Sequence, residues 1–324
     1  MRSRLSRLLS RRLAFVAVFA AVAIFAVLAL RQGNTASAAQ AIVGQCRDQK
    51  LQDECYAEQF GAITKRSGLK ASLATLDEFQ KLPGAQRGCH FIAHHIAAAA
   101  VTASGDWRRT ISELPLEDCS GGFLMGLMEE RQRLEPGLKY TPASIQETCS
   151  AMPEDQQAKT CFHTMGHLVL VQTRGVVDDS LVICRELPEP ASRYECLSGT
   201  FMENLYRRNL QAHKVGKELQ WTPERAQALT ALCQAQTGEA AKACWRELSH
   251  VFVVHEKSRP EAVFAKCQTA LTDETRAACY LHAVGVMTLM QSNSQDADKL
   301  CEPYATSADR LKECQSMIRR NHGH

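Results

Sequence analysis

Two imidazoles stand four residues apart in TCFHTMGHLVLV (160–171), an otherwise apolar run. Four residues is about one helical turn, so His163 and His167 share one helix face. Neutral imidazole nitrogens bind transition metals, and nearby carboxylates set the charge of such a site. Imidazole beside a methionine thioether can also hold a haem iron axially. The competing role is structural: a buried His bonds a neighbouring carbonyl or carboxylate and performs no chemistry. Which role applies depends on whether the stretch is unique or one copy of a repeated element.

The cysteines answer that question. Fourteen Cys occur, and twelve of them form six C-x(8–12)-C pairs: 46/55, 149/161, 184/196, 233/244, 267/279 and 301/314. The intervening text is similar, as in CSAMPEDQQAKTC, CRELPEPASRYEC and CQTALTDETRAAC. Two more units, FQKLPGAQRGC and ISELPLEDC, keep the Leu-Pro but lack the first Cys, with Phe79 and Ile111 in its place. The second Cys of each unit thus falls at 55, 89, 119, 161, 196, 244, 279 and 314, with steps of 30 to 48 residues. Periods in this range indicate stacked supersecondary units.

Each unit reads as a helical hairpin. A first helix ends at the first Cys. TPASIQETC, TPERAQALTALC and RPEAVFAKC each place Pro in the first helical turn, and Thr141 is a cap for the first of them. A short turn follows, and a strongly apolar second helix starts near the second Cys, as in FIAHHIAAAAV, HLVLVQ and HVFVVH. No run alternates with a period of two, so the fold class is all-α. The expected architecture is an array of about eight disulfide-stapled hairpins, an α-solenoid that is curved or ring-like. Bridges are expected at Cys46–Cys55, Cys149–Cys161, Cys184–Cys196, Cys233–Cys244, Cys267–Cys279 and Cys301–Cys314. Each such loop is worth roughly 2.5–3 kcal/mol by the chain-entropy model. Zinc ligation is the alternative use of these Cys, but its usual C-x(2–4)-C spacing is absent. Cys89 and Cys119 either bridge neighbouring units or remain two thiols near the His90/His94/His95 cluster.

With the second helices aligned on their Cys, the sixth position reads Gly61, His95, Met125, His167, Met202, His250, Gly285 and Arg320. His occupies alternate units. His90 and His94 precede His95, and His163 precedes His167. Glu247 and His250 form E-x-x-H, a spacing used by di-metal helical bundles. His282 shares the inner face, and Glu203 follows Met202. If the second helices line an inner wall, His90, His94, His95, His163, His167, Glu203, Glu247, His250 and His282 are candidate ligands for zinc, iron or copper, or for non-covalent haem. The spacings are not the H-E-x-x-H of metalloproteases, and covalent c-type haem is excluded because no C-x-x-C-H occurs. Core packing remains the rival use of every one of these residues, and Met is an ordinary core filler.

The N-terminus assigns a compartment. MRSRLSRLLSRR (1–12) is basic without an acid, and 13–30 is an unbroken apolar run of 18 residues. That length suits a transmembrane signal anchor with the Arg cluster left in the cytoplasm. A-x-A before residue 39 offers cleavage near Ala38, which would make the product secreted. Six of the 38 basic residues lie in 1–31, leaving 32 basic against 35 acidic and a net of −3 for the rest. No basic patch for nucleic acid results. Residues 31–43 read as a linker, 44–320 as the hairpin domain and 321–324 as a tail. Many Cys and an export segment both point to an oxidising, extracytoplasmic space.

Over roughly residues 44–320 the layout resembles, in general architecture, disulfide-stapled relatives of Sel1-like and tetratricopeptide repeats. It carries neither a recurring G-x-G-V nor the tetratricopeptide W/G/Y/A/P signature. Three functions are compatible with the pattern: a membrane-anchored extracytoplasmic scaffold that binds a protein or peptide, a metal- or haem-binding protein, and a metalloenzyme with an open coordination position.

Overall fold

The structure, a computed structural model, describes residues 35–49, 52–83, 89–116, 118–150, 152, 154–214, 222–290, 299–303 and 307–322. Among the described residues the regular structure is helical and no strand occurs. The basic segment 1–12 and the apolar run 13–30 lie outside them. Among the described residues no helix is long and apolar enough to cross a membrane. The chain divides into two compact units, Met1–Pro136 and Gly137–His324.

In the first unit, α1 covers residues 35–46. Most of the expected linker 31–43 is therefore helical. The segment is rich in Ala, a strong helix former, and Ala39, Ile42 and Cys46 bury one face of it. α2 (Gln52–Ser67), α3 (Leu69–Gln80), α4 (Cys89–Ser104), α5 (Trp107–Ile111) and α6 (Gly122–Leu134) follow, with a 3-10 turn over Asp118–Gly121 before α6. α4 packs against both α2 and α6. Phe79, which replaces a Cys in its unit, is fully buried edge-on against Tyr56 and Phe60, with ring centroids 4.9 and 5.3 Å away. Asp106 caps α5 by accepting from the backbone of Arg108 and Arg109.

The second unit contains α7 (Pro142–Ser150), α8 (Asp155–Gln172), α9 (Val177–Arg185), α10 (Pro190–Lys214) and α11 (Pro223–Gln234). α12 (Gly238–His255), α13 (Pro260–Cys267), α14 (Asp273–Met290) and α15 (Ala308–His322) complete it. α15 runs into the expected tail at 321–324. The short helices α7, α9, α11 and α13 each pack against the longer helix that follows. The long helices also pack in succession, α8 on α10, α10 on α12 and α12 on α14. Thr222 accepts from the backbone of Arg225 at the start of α11, with Pro223 behind it, and Thr141 accepts from the backbone of Ser144 at the start of α7.

Seven disulfides close these pairs. Six join Cys46–Cys55, Cys149–Cys161, Cys184–Cys196, Cys233–Cys244, Cys267–Cys279 and Cys301–Cys314 across their turns. The seventh joins Cys89 at the head of α4 to Cys119 in the 3-10 turn. The paired Cα atoms lie 5.2 to 5.8 Å apart, inside the range a disulfide spans without backbone movement.

Glycines set the spacing of the long helices. A Cβ on Gly199 of α10 would overlap the carbonyl of His163, and one on Gly166 of α8 would overlap the carbonyl of Cys196. The backbones of α8 and α10 therefore touch, and side chains on their facing rows are held close. Gly126 of α6 lies in the same way against the backbone of His94.

Candidate functional site

A buried polar network runs through α8, α10, α12 and α14. Arg246 of α12 is its hub. Its guanidinium Nη1 lies 3.2 Å from both carboxylate oxygens of Glu195, at the start of α10, and its Nε lies 3.3 Å from Glu247 Oε1. Glu247 is 2% exposed and also accepts from the Ser198 hydroxyl. Tyr194 lies against the same guanidinium, 5.5 Å from ring centroid to Cζ. Burial alone would raise the pKa of both carboxylates. For Glu195, His163 and Arg246 outweigh burial and hold the pKa below the usual carboxylate value. For Glu247, His282 and Arg246 do the same. Burial alone would also lower the pKa of Arg246, but the charges of Glu247 and Glu195 raise it above the usual value. A cation held between two carboxylates is how a protein interior tolerates charge.

The histidines sit at the edges of this network. His167, buried on α8, has its Nδ1 3.0 Å from Glu203 Oε2 on α10. Burial lowers its pKa, and Glu203 only partly compensates. One turn earlier, His163 Nε2 is 3.3 Å from the Met202 sulfur, and its Nδ1 is 3.7 Å from Glu195, beyond hydrogen-bond range. The His163 and His167 rings are 5.0 Å apart. On α14, His282 Nδ1 is 2.9 Å from the Ser249 hydroxyl, which is also 2.6 Å from the Arg246 carbonyl. The hydroxyl has one hydrogen and gives it to the carbonyl, so His282 must donate from Nδ1. Burial pushes the His282 pKa down to about 4. His250 lies 6.3 Å from the His282 ring, and burial lowers its pKa as well.

The candidate ligands of the second unit therefore form two adjoining groups. One holds His163, His167 and Glu203, the other Glu247, His250 and His282. Glu203 already engages His167 and the Ser249 hydroxyl engages His282, whereas His163 Nδ1 is buried without a hydrogen-bond partner among the described residues. The His163–Met202 contact closes the gap that a porphyrin plane would need between those two side chains. Among the described residues no group of three or more His, Cys, Asp or Glu side chains is placed to hold a metal ion.

In the first unit, His90 and His94 share one face of α4, and the two Nε2 atoms are 3.1 Å apart. His95 faces α2, where it lies against Gly61, and burial lowers its pKa. His94, His95, Glu58, Lys65 and Glu129 line an open cleft of about 580 Å³. On one wall of that cleft Glu130 takes a two-pronged bond from Arg133, at 2.6 and 2.7 Å, and this holds its pKa below the usual value.

Alignment on the sixth position alone overlooks Arg246, Glu195, Ser198 and Ser249. The second position after the Cys reads His163, Ser198, Arg246 and Leu281 in successive long helices. Three of these four are polar inside apolar helices, and that was the available signal. Comparison of the chain with protein-family models, curated proteins and solved structures finds no match to any of them.

Proposed function

We propose that this chain is an extracytoplasmic scaffold, anchored through residues 13–30, whose stapled hairpins form a repeat array that binds a protein or peptide. The observation that carries this reading is the succession of long helices, each packed on the next and each stapled to its own short partner. Local staples of this kind replace one deep core and leave an extended surface for a partner. Seven disulfides favour an oxidising space. The interior also favours a structural role for its polar groups, because Arg246, Glu195, Glu247 and Ser198 satisfy one another.

The test has two stages. A reporter fused after His324 should be active only outside the cytosol, and cytosolic activity would refute the compartment. Photo-crosslinking from exposed positions such as Val182 and Leu271 in intact cells should then trap a reproducible protein, and purified components should bind saturably. Binding that survives full reduction and unfolding of the chain, or no crosslink from any exposed position, would refute the scaffold.

A further inference from the structure

We propose that the groove between α1, α2 and α3 holds the headgroup of an anionic phospholipid from the membrane that anchors the chain. This rests on the anchored reading given above and adds a partner to it. The groove is open, has a volume of about 640 Å³ and belongs wholly to the first unit. Small-molecule sites usually measure roughly 300–1,000 Å³. Arg66, in the last turn of α2, and Lys70, in the first turn of α3, line the groove, and both are exposed. Among the described residues no carboxylate lines it, and neither Arg66 nor Lys70 has an ion pair or a side-chain hydrogen bond. Folding accounts for Arg66, because a cation suits a helix C-terminus, but not for Lys70. A cation is disfavoured in a first turn, and α3 carries no acid there to balance it. The rest of the wall is uncharged: Ile42 and Ile63 offer apolar surface, and Gln45 and Gln59 offer amides.

Chain length places this groove at the membrane. The apolar run ends at Leu30, and Thr35 opens both α1 and the groove. Five residue steps of at most about 3.6 Å keep Thr35 within about 18 Å of the end of the run, at or just beyond the headgroup layer. The hairpin geometry brings the cations to that same end. The Cys46–Cys55 bridge joins α1 to α2 across their turn. Eleven residue steps separate Thr35 from Cys46 and eleven separate Cys55 from Arg66. Each is about 17 Å of helix, so Thr35 and Arg66 stand level at the open end of the hairpin. α3 starts two residues after α2 ends and sets Lys70 beside them. Two uncompensated cations suit the phosphate of a lipid, and each adds attraction to a negative surface. The apolar wall suits the glycerol and first methylenes behind that phosphate, which a free anion lacks.

The test uses the full-length oxidised chain in lipid nanodiscs, made of phosphatidylcholine alone or of an equal mixture with phosphatidylglycerol. Benzoylphenylalanine replaces Ala74, an exposed residue of the groove wall, and adducts are identified by mass spectrometry after illumination. Phosphatidylglycerol should be captured well above its share of the mixture. Arg66→Gln and Lys70→Gln should each lower that capture about fivefold. Lys65→Gln removes a charge from the neighbouring cleft instead and should leave capture unchanged. Excess inorganic phosphate should not displace the lipid; displacement would make this a site for a free anion and overturn the proposal. Equal capture of the two lipids, or undiminished capture in both Arg66→Gln and Lys70→Gln, would overturn it too. The anchor is read separately, from retention of the chain by the phosphatidylcholine discs. A chain retained there that shows no lipid preference refutes the headgroup site alone. A chain lost from those discs but held by the mixture through Arg66 and Lys70 refutes the anchor alone, and one lost from both refutes both.

Discussion

Acid should loosen the second unit through His282, and the size of the effect follows from where that ring sits. Its Nδ1 donates to Ser249, and the charged groups around it are Glu247, Arg246 and His250. Burial lowers its pKa from 6.5 to about 4, so the folded protein holds the ring neutral while the unfolded chain lets it charge. A depressed His pKa leaves stability intact above pH 6.5 and removes it as pH falls toward 4. Each pKa unit is worth about 1.4 kcal/mol, so the full window costs about 3 kcal/mol, and between about 2 and 3 kcal/mol is gone by pH 4.5. The assay is urea unfolding with disulfides intact, followed by tryptophan fluorescence, to which Trp245, 1% exposed on α12, contributes a buried reporter. His282→Asn keeps a donor toward Ser249 and removes the titration. It should lower stability at pH 7.5 but flatten the loss between pH 7.5 and 4.5 by about 2 kcal/mol relative to wild type. His167, His250 and His95 also have lowered pKa values, so a residual acid slope remains in the variant. Equal acid losses in wild type and His282→Asn would refute the assignment.

Three further outcomes follow from the geometry. Gly199→Ala should destabilise by about 3 kcal/mol or more in the same unfolding assay, because its Cβ meets a backbone carbonyl that cannot give way. Arg246→Met should cost about 3–5 kcal/mol by leaving Glu195 and Glu247 without their cation, and Glu195→Gln with Glu247→Gln in the same chain should recover part of that loss. Cys184→Ser should lower stability by about 2–4 kcal/mol, and non-reducing peptide mapping should still find the six other bridges.

The cysteine spacing was enough to identify the helix pairs, because a bridge across one turn demands that its two helices be neighbours. Capping by Thr141 and Thr222 was legible for the same reason: local chemistry acts at fixed offsets. The electrostatic centre was not legible from one aligned position. Arg246 lies on α12 and Glu195 on α10, and only the packing of those helices brings them to 3.2 Å. The close approach of α8 and α10, which sets His167 against Glu203, depends on Gly166 and Gly199, residues with no side chain to signal a contact. Residues 31–43 read as a linker, yet 35–46 form a helix whose small side chains let it bury only a narrow face.

In every bridge the partner is the next cysteine along the chain, from Cys46–Cys55 to Cys301–Cys314. For a polypeptide threaded N-terminus first into an oxidising space, this order matters. Each thiol meets its proper mate before any later one has arrived, so a simple oxidant acting on the emerging chain yields the native pattern and no reshuffling step is required. Cys89 is the exception in timing, since 30 residues separate it from Cys119 while the other pairs are 9 to 13 apart. It is the thiol exposed longest to a wrong partner, and α5 must emerge before it can close.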